Sequence, residues 1–179
     1  MRREQVEIEA PSIGGAGTVI GYGHYGRPVL LFPAEQGRAW DLEGAGMIDA
    51  VAVRRPVGAG VSLGALAMLH AQRRFPDVFA GLLLQSGSFF MPRFDAHESG
   101  FPRYQRIVRF VRAALSGRDA AEAVPVVLTC GTREENIHDN RVMAHALGAP
   151  LHECADTHNY TAWRDAFDPH LTGLLERLW

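Results

Sequence analysis

Ser62 stands in the pattern Gly60-Val61-Ser62-Leu63-Gly64, between a short apolar run and a helix-forming run that extends to Arg74. Glycines on both sides of the serine let a strand and a helix pack closely. A nucleophile elbow requires this, because it is a sharp strand-turn-helix connection that holds its serine strained and exposed. In a chain with 19 glycines the bare pattern also arises by chance. The uninterrupted helical run and the Phe75-Pro76 stop that follows it favour the elbow. Ser62 is therefore the candidate nucleophile.

A nucleophilic serine works with a histidine base and a carboxylate that orients the histidine. In a parallel sheet these residues lie on loops after the carboxyl ends of strands, in the order nucleophile, acid, histidine. Glu134 and Glu135 follow an apolar strand that ends at Cys130, and His158 follows a short strand that ends near Ala155. Acidic residues at a helix start also stabilise the helix dipole, which is the alternative explanation of the glutamates. We expect His158 to be the base and Glu134 the acid, with Glu135 left open.

Acyl transfer also needs hydrogen-bond donors for the oxyanion that it generates. The first expected donor is the backbone N–H of Leu63, directly after the serine. The loop after the apolar run that ends at Phe32 should supply the second donor, from Glu35 or Gln36. The sequence thus predicts where an oxyanion hole would form.

The spacing of possible ligands disfavours metal chemistry. Of the eight histidines, only His158 stands at a loop expected to carry catalysis, and no His-Glu-x-x-His or similar pattern occurs. Cys130 and Cys154 are isolated, which is typical of small buried residues rather than of a metal site or a disulfide framework. We expect no metal and no cofactor.

The stretch from Phe89 to Tyr104 is rich in aromatic residues and has neither helical nor strand periodicity. A loop of this length in a compact domain is often functional, and its aromatic content makes disorder improbable. We interpret it as a pocket wall or lid, against the alternative of a loop that simply packs on the core. The candidate pocket residues are Phe89, Phe90, Arg93 and Phe94. Three more arginines lie in or beside the loop, namely Arg103, Arg106 and Arg109.

These arginines predict a preference for esters with an aromatic or anionic acyl group, because guanidinium groups both stack on rings and pair with carboxylates. A solvated basic face is the competing interpretation. The partner expected on either view of the loop is a small molecule.

Composition limits the other function classes. The chain has 179 residues, enough for one domain over residues 1–179, with a net charge of -2 and 47% hydrophobic residues. No basic excess attracts nucleic acid, and no apolar run is long enough to insert in a membrane or to act as a leader. We therefore expect a cytoplasmic protein that binds neither nucleic acid nor membrane. Its oligomeric state is left open.

Periodicity predicts an α/β fold. Strands are expected over 6–10, 18–22, 28–33, 57–61, 79–86, 124–130 and 151–155. Helices are expected over 41–53, 63–74, 107–115, from the turn at 131–136 to 147, and over an apolar stripe from 163 to 178 that is broken at Asp168-Pro169. Strands alternate with helices from residue 28 onward, which indicates a mostly parallel sheet with helices on both faces.

Several stretches together resemble the esterase family that includes the enterochelin esterases and, more remotely, the bacterial mycolyltransferases. The stretches, which extend over most of the chain, are 60–64, 75–79, 86–88, 131–136, 156–159 and 163–165. The resemblance implies an α/β-hydrolase fold and a metal-free serine hydrolase that acts on carboxylic esters. It also implies Glu134 as the acid and His158 as the base.

The chain departs from this family between residue 53 and Val57, where the relatives carry a further strand and helix. We expect a sheet that lacks one strand, with the strand at Phe32 joined directly to the elbow strand. Because strand-helix-strand crossovers are almost always right-handed, this connection must change faces, become left-handed or pair differently. Any of these changes would move the Glu35-Gln36 loop and lower turnover.

Three functions remain open at this point. The first is a serine carboxylesterase with an acyl-enzyme intermediate. The second is an acyltransferase, which differs only in that an alcohol rather than water captures the acyl group. The third is a shortened, inactive relative that binds a ligand or a partner.

Overall fold

The computed structural model describes residues 2–10, 15–22, 30–34, 37–48, 57–117 and 124–178. Its centre is a five-stranded parallel sheet in which each strand lies next to its neighbour in sequence, in the order β3-β4-β5-β6-β7. These strands are β3 (Leu30–Phe32), β4 (Val57–Val61), β5 (Gly81–Gln85), β6 (Val126–Gly131) and β7 (Leu151–Cys154). A separate antiparallel pair is formed by β1 (Arg3–Ala10) and β2 (Gly15–Tyr22).

The described helices are α1 (Asp41–Gly44), α2 (Leu63–Arg74), α3 (Tyr104–Leu115), α4 (Ile137–Leu147), α5 (Tyr160–Asp165) and α6 (Thr172–Arg177). A 3-10 turn spans Ala96–Gly100, and a π-helical turn, Phe167–Leu171, joins α5 to α6. Within the described residues no helix has both the length and the apolar character needed to cross a membrane.

Helices cover the sheet on both faces. Leu82 and Leu84 of β5 pack on one face, in a core shared with α2, α3 and α4. Leu83 lies between them in sequence and points to the other face, where it packs with Val127 and Trp163. Every residue of β4 and β5 is buried, as expected for parallel strands covered on both sides. The predicted fold class is confirmed.

The elbow elements form as the sequence predicts, with β4 and α2 at the expected residues. Helix α4 ends at Leu147, because Gly148 adopts the left-handed conformation with φ 60° and caps it. In both places a local signal determines the element boundary, namely the breaker-free run in α2 and the terminal glycine in α4.

Strand β3 does not lie between two neighbours. The continuous apolar run bounded by prolines at 28–33 predicts a strand covered on both faces, and this prediction is wrong, since Leu30 is 43% and Phe32 is 38% exposed. Among the described residues β3 pairs only with β4, so it forms the edge of the sheet. An apolar run predicts burial only where a further element covers it, and the described sheet lacks the further strand that relatives of this family carry, as expected from the sequence.

Helix α1 is much shorter than the predicted helix over 41–53. It ends at Gly44, and the chain then turns at Gly46, whose φ is +72°. The N–H of Met47 donates to the carbonyl of Leu42, and the N–H of Gly46 donates to that of Glu43, as in a Schellman cap. A glycine in the left-handed region therefore stops the helix, and residues 49–53 lie outside the described residues.

The connection from β3 to β4 begins on the face opposite to α2. Leu42 and Met47 pack in the same core as Trp163, whereas Met68 of α2 packs in the other core. The steps from β3 to β4 and from β4 to β5 run in the same direction across the sheet, so connections on opposite faces have opposite hands. Crossovers such as the one through α2 are almost always right-handed. The described part of the connection from β3 to β4 therefore lies on the face that a left-handed crossover would use.

Candidate active site

Ser62 occupies a strained turn between β4 and α2. Its φ and ψ are 55° and -124°, and a positive φ is unusual for a residue with a side chain. A Cβ atom added to Gly60 would lie 2.3 Å from the Gly64 carbonyl oxygen, and one added to Gly64 would lie 2.5 Å from the Phe32 carbonyl oxygen. Both glycines of the pattern are therefore required by the close crossing of β3, β4 and α2.

Glu134 and His158 meet at the carboxyl ends of β6 and β7. Glu134 Oε2 lies 2.6 Å from His158 Nδ1, and the Glu134 side chain is 1% exposed while that of His158 is 41% exposed. The two loops cross tightly at Gly131, where an added Cβ would lie 2.4 Å from the Asp156 carbonyl oxygen. The structure thus joins two of the three residues that the sequence analysis singled out.

Glu135, the alternative acid, points away from the histidine. Its side chain is 91% exposed, and its carboxylate lies 3.7 Å from the imidazole of His97. Two adjacent glutamates at the start of one turn thus have opposite environments. The geometry favours Glu134 as the partner of His158.

The carboxylate of Glu134 is held in its charged form. Burial alone would raise its pKa, but hydrogen bonds from His158, from the Ser86 hydroxyl and from the Gly131 N–H outweigh burial. The pKa of Glu134 is therefore lower than its ordinary value. A carboxylate that stays ionised can accept the Nδ1 proton of a neighbouring imidazole.

The hydroxyl of Ser62 rests against Ser88. The two Oγ atoms are 3.2 Å apart, and the Ser88 N–H donates to the Ser62 carbonyl over 3.2 Å. In the described part of the chain no hydrogen bond joins Ser62 Oγ to the His158 ring. The structure therefore brings Glu134 and His158 together but does not join Ser62 to His158 in this conformation.

The predicted oxyanion hole is described only in part. Leu63 is the first residue of α2, where backbone N–H groups have no acceptor within the helix. Glu35 and Gln36 lie outside the described residues. On either side of them the N–H of Gly37 donates to the carbonyl of Ala34 over 2.9 Å, and the carbonyls of Phe32 and Pro33 lie next to Gly64 in the first turn of α2.

A cavity of about 400 Å³ opens beside the aromatic loop. It is lined by Phe90, Met91, Pro92, Arg93, Val111, Arg112 and Leu115. Apolar side chains form most of its lining, and two guanidinium groups contribute the positive charge. Of the predicted pocket residues, Phe90 and Arg93 line this cavity.

The other predicted pocket residues lie elsewhere. Phe89 is completely buried in the core against Gly87, which corrects the expectation that it lines a pocket. Phe94 is partly exposed, and Arg93 Cζ stacks over its ring at 4.4 Å from the centroid. Three arginines near the loop are exposed and do not line the cavity, namely Arg103, Arg106 and Arg109. Aromatic composition indicated a structured loop but not the direction of each ring.

Two residues reach the candidate site although the sequence analysis gave them no role in it. The Ser86 hydroxyl donates to Glu134 Oε1 over 2.8 Å, and Trp163 Nε1 donates to Ser86 Oγ over 2.9 Å. Ser86 directly follows β5, and this position is itself a signal, since functional residues collect at the carboxyl ends of parallel strands. Trp163 carried no such signal, because it lies in an apolar helical stripe.

Known proteins resemble this chain in sequence. No protein-family model matches the sequence. The iron(III) enterobactin esterase of Escherichia coli O6:H1 is 30% identical over 131 residues, which is 70% of this chain and 30% of that protein. The esterase of the same name from Escherichia coli K12 is 29% identical over 134 residues. The matched region thus spans less than a third of the length of these curated relatives.

Solved structures of esterases superpose on the whole chain. A ferulic acid esterase has a TM-score of 0.72 at 13% identity, and the match covers 99% of this chain and 98% of that chain. The enterobactin esterase of Shigella flexneri in the presence of 2,3-dihydroxy-N-benzoyl-glycine has a TM-score of 0.70 at 17% identity, with 100% and 60% covered. The chain shares the fold of these esterases, the α/β-hydrolase fold.

A fluorophosphonate-binding serine hydrolase of Staphylococcus aureus shares the fold over 97% of this chain and 98% of its own, with a TM-score of 0.70 at 12% identity. Compared with complete α/β-hydrolases, this chain is truncated. The resemblance to enterochelin esterases that the sequence analysis stated is confirmed. The roles of the individual site residues remain predictions.

Proposed function

We propose that this protein is a serine hydrolase that cleaves carboxylic esters through Ser62, His158 and Glu134. The observation that carries the proposal is the 2.6 Å pair between His158 Nδ1 and Glu134 Oε2, on the two loops that follow β6 and β7. Ser62 supplies the third element, since it occupies a strained elbow at the end of β4. Homology to enterobactin esterases supports the same reaction class.

In the first half of the reaction, Ser62 Oγ attacks the ester carbonyl and forms a bond to its carbon. Nε2 of His158 accepts the serine proton, while Glu134 keeps Nδ1 protonated and stabilises the imidazolium. The tetrahedral intermediate then collapses, the bond to the leaving alcohol breaks, and the imidazolium returns the proton to that alcohol. The product of this half is an acyl-enzyme on Ser62.

Water completes the cycle by the reverse route. His158 takes a proton from water, the hydroxide attacks the acyl carbon, and the carboxylic acid leaves as Ser62 regains its proton. In both halves the Leu63 N–H and the loop at residues 35 and 36 would donate to the oxyanion. To begin the cycle, the Ser62 hydroxyl must turn its proton toward Nε2 of His158, and it can still accept from Ser88 while it does so.

The proposed substrates have an aromatic or anionic acyl group. Arg93 and Arg112 line the cavity together with Phe90, so its lining includes two cationic residues and an aromatic ring. Phe90 follows Ser88, the hydrogen-bond partner of Ser62, by two residues, and this connects the cavity to the nucleophile. The homologues are named iron(III) enterobactin esterases, and one similar structure was obtained with 2,3-dihydroxy-N-benzoyl-serine. Benzoate and dihydroxybenzoate esters should therefore be cleaved faster than octanoate esters, and added salt should reduce the rate for an acyl group that carries a second, free carboxylate. Rates that rise with aliphatic chain length and ignore salt would contradict this substrate class.

The second candidate function is a shortened, inactive relative that binds a ligand. Its support is the hydrogen bond of Ser62 to Ser88 instead of His158, together with the edge position of β3. Hydrolysis of short aryl esters by the purified protein separates the two functions. The proposal predicts turnover that Ser62→Ala abolishes, and that Ser116→Ala, an exposed serine at the end of α3, leaves intact. A folded wild type without turnover, or full turnover in Ser62→Ala, would support the binding protein.

An acyltransferase would use the same residues, and the two activities differ only in what captures the acyl group. Adding a primary alcohol to the ester assay distinguishes them. A hydrolase yields mainly the carboxylic acid, whereas a transferase yields mainly the new ester.

A further inference from the structure

We propose that Ser86 and Trp163 are positioning residues that fix the tautomer and the ring plane of His158. The proposal rests on the proposed function, because it assigns how the base is prepared for that reaction. It extends the site from three residues to a closed ring of side chains, two of which lie behind the carboxylate.

Four side chains form this ring. Trp163 Nε1 donates to Ser86 Oγ over 2.9 Å, and Ser86 Oγ donates to Glu134 Oε1 over 2.8 Å. Glu134 Oε2 meets His158 Nδ1 at 2.6 Å. The imidazole of His158 then returns to the indole of Trp163, since the two rings meet edge to face with their centroids 4.8 Å apart.

The indole determines the direction of the first two hydrogen bonds in the ring, and the ionised carboxylate determines that of the third. An indole N–H can only donate, so Ser86 Oγ must accept from Trp163 and its own proton is left to donate to Glu134. The Gly131 N–H donates to the same carboxylate oxygen over 2.7 Å, which gives Oε1 two donors. Oε2 then faces His158, and because an ionised carboxylate can only accept, Nδ1 must carry the proton. The unprotonated Nε2 is the atom that a base needs.

Trp163 also limits the rotation of the imidazole. The hydrogen bond to Glu134 fixes one ring atom but leaves the ring free to swing about it, and 41% of the His158 side chain is exposed. The perpendicular contact with the indole restricts that swing from one side, in the edge-to-face arrangement that aromatic rings prefer. Glu134 and Trp163 therefore constrain different degrees of freedom of the same ring.

Two residues at the end of β5 and directly after it hold Trp163 in place. The side-chain amide of Gln85 donates to the Trp163 carbonyl over 2.8 Å, and both residues are buried. The next residue, Ser86, accepts from the indole, so two consecutive positions of the chain bind the backbone and the side chain of Trp163. Ser86 adopts a left-handed backbone with φ 49°, which costs free energy in a non-glycine residue. Strained backbone conformations of this kind cluster at functional sites, which supports a functional role for Ser86 and its buried partners.

The test compares the ring nitrogens of His158 in wild type and variants by ¹⁵N NMR, together with kcat and KM for an aryl ester. Ser86→Gly removes the hydroxyl and suits the positive φ, so the backbone turn should be retained. Trp163→Phe keeps an aromatic edge but removes the donor, and Trp163→Leu removes both. Two matched controls lie outside the ring, Ser116→Gly at the end of α3 and Trp40→Phe beside α1.

Wild type should show a single Nδ1–H tautomer. In Ser86→Gly the Glu134 carboxylate loses a donor that aims Oε2 at Nδ1, and in Trp163→Phe the direction of that donor is no longer fixed. Both variants should therefore show a mixture of tautomers and lose about tenfold in kcat with KM unchanged, the lower end of the loss seen when the partners of metal-binding histidines are removed. Trp163→Leu should lose more than Trp163→Phe, and the controls should match wild type. Wild-type nitrogen signals in both Ser86→Gly and Trp163→Phe would overturn the proposal.

The NMR readout keeps this proposal separate from the proposed function. If wild type turns over no ester, the proposed function fails, yet the tautomer of His158 can still be compared among the variants. If wild type is active and the tautomer is unchanged by the substitutions, the positioning role alone fails. Should Trp163→Leu fail to fold, Ser86→Gly and Trp163→Phe still decide the result.

Discussion

Glu134 Oε2 lies 2.6 Å from Nδ1 of His158, although 24 residues separate them in sequence and the neighbouring Glu135 points into solvent. The pair forms because β6 and β7 are adjacent and parallel, so the loops after them meet at one edge of the sheet. Strand topology brings the two loops together, and the Ser86 hydroxyl and the Gly131 N–H, which both donate to Glu134 Oε1, hold Glu134 rather than Glu135 against the histidine.

Glu134→Gln should lower kcat by about 10⁴, because an amide can donate to Nδ1 and stabilise the wrong tautomer of His158. Glu135→Gln is the matched control and should stay within about twofold of wild type, as expected for an exposed residue. The measurement is kcat/KM for a short aryl ester with each variant. A larger loss in Glu135→Gln would move the acid by one position.

The stacked pair of His152 and His170 predicts a loss of stability at mildly acidic pH. Their ring centroids are 4.0 Å apart, and burial, followed by the charge on His152, lowers the pKa of His170. The unfolded chain thus binds more protons than the folded one as pH falls through about 6.5, so the free energy of unfolding decreases in that window. Above it, both states are neutral at His170 and the penalty vanishes.

Urea unfolding at pH 7 and pH 5 checks this expectation. The decrease between the two values should be smaller in His170→Gln than in wild type. His152→Gln should have an intermediate effect, since it removes the neighbouring charge but not the burial. An equal decrease in all three proteins would show that the pair does not contribute.

Gly60→Ala and Gly64→Ala should destabilise the fold severely, by about 3 kcal/mol or more, because backbone atoms at 2.3 and 2.5 Å cannot move aside as a flexible side chain can. Gly173→Ala is the control. No atom lies within 4 Å of a Cβ added at that helical position, so alanine should be neutral or stabilising by up to about 1 kcal/mol. Thermal unfolding measures all three. A mild effect at Gly60 would contradict the close crossing of β4 and α2.

The parts of the fold that the sequence predicted are those governed by local signals. The elbow strand, helix α2 and the end of α4 all follow from breaker positions and glycine sterics. The shortening of α1 also had a local cause in Gly46, but the helical pattern on both sides of Gly46 predicted a longer helix. The exposure of β3 had no local signal, since it depends on a neighbouring strand that the described sheet lacks.

The candidate site divides in the same way. Ser62, Glu134 and His158 could be selected because parallel strands collect functional residues at their carboxyl ends. Trp163 could be picked out only by its place in the family stretch 163–165, because its hydrogen bond to Ser86 spans 77 residues and no local pattern predicts it. The core position of Phe89 could not be predicted from the sequence either, since it depends on the direction of one side chain within an aromatic loop.

The central claim is that Ser62 is an activated nucleophile, and covalent labelling tests it most directly. The folded protein is treated with a fluorophosphonate probe, and the labelled peptide is located by mass mapping. The proposed function predicts a label on Ser62, no label in Ser62→Ala, and slower labelling in His158→Ala because the base is missing. A folded wild type that takes up no label, or a label that persists in Ser62→Ala, would contradict the claim.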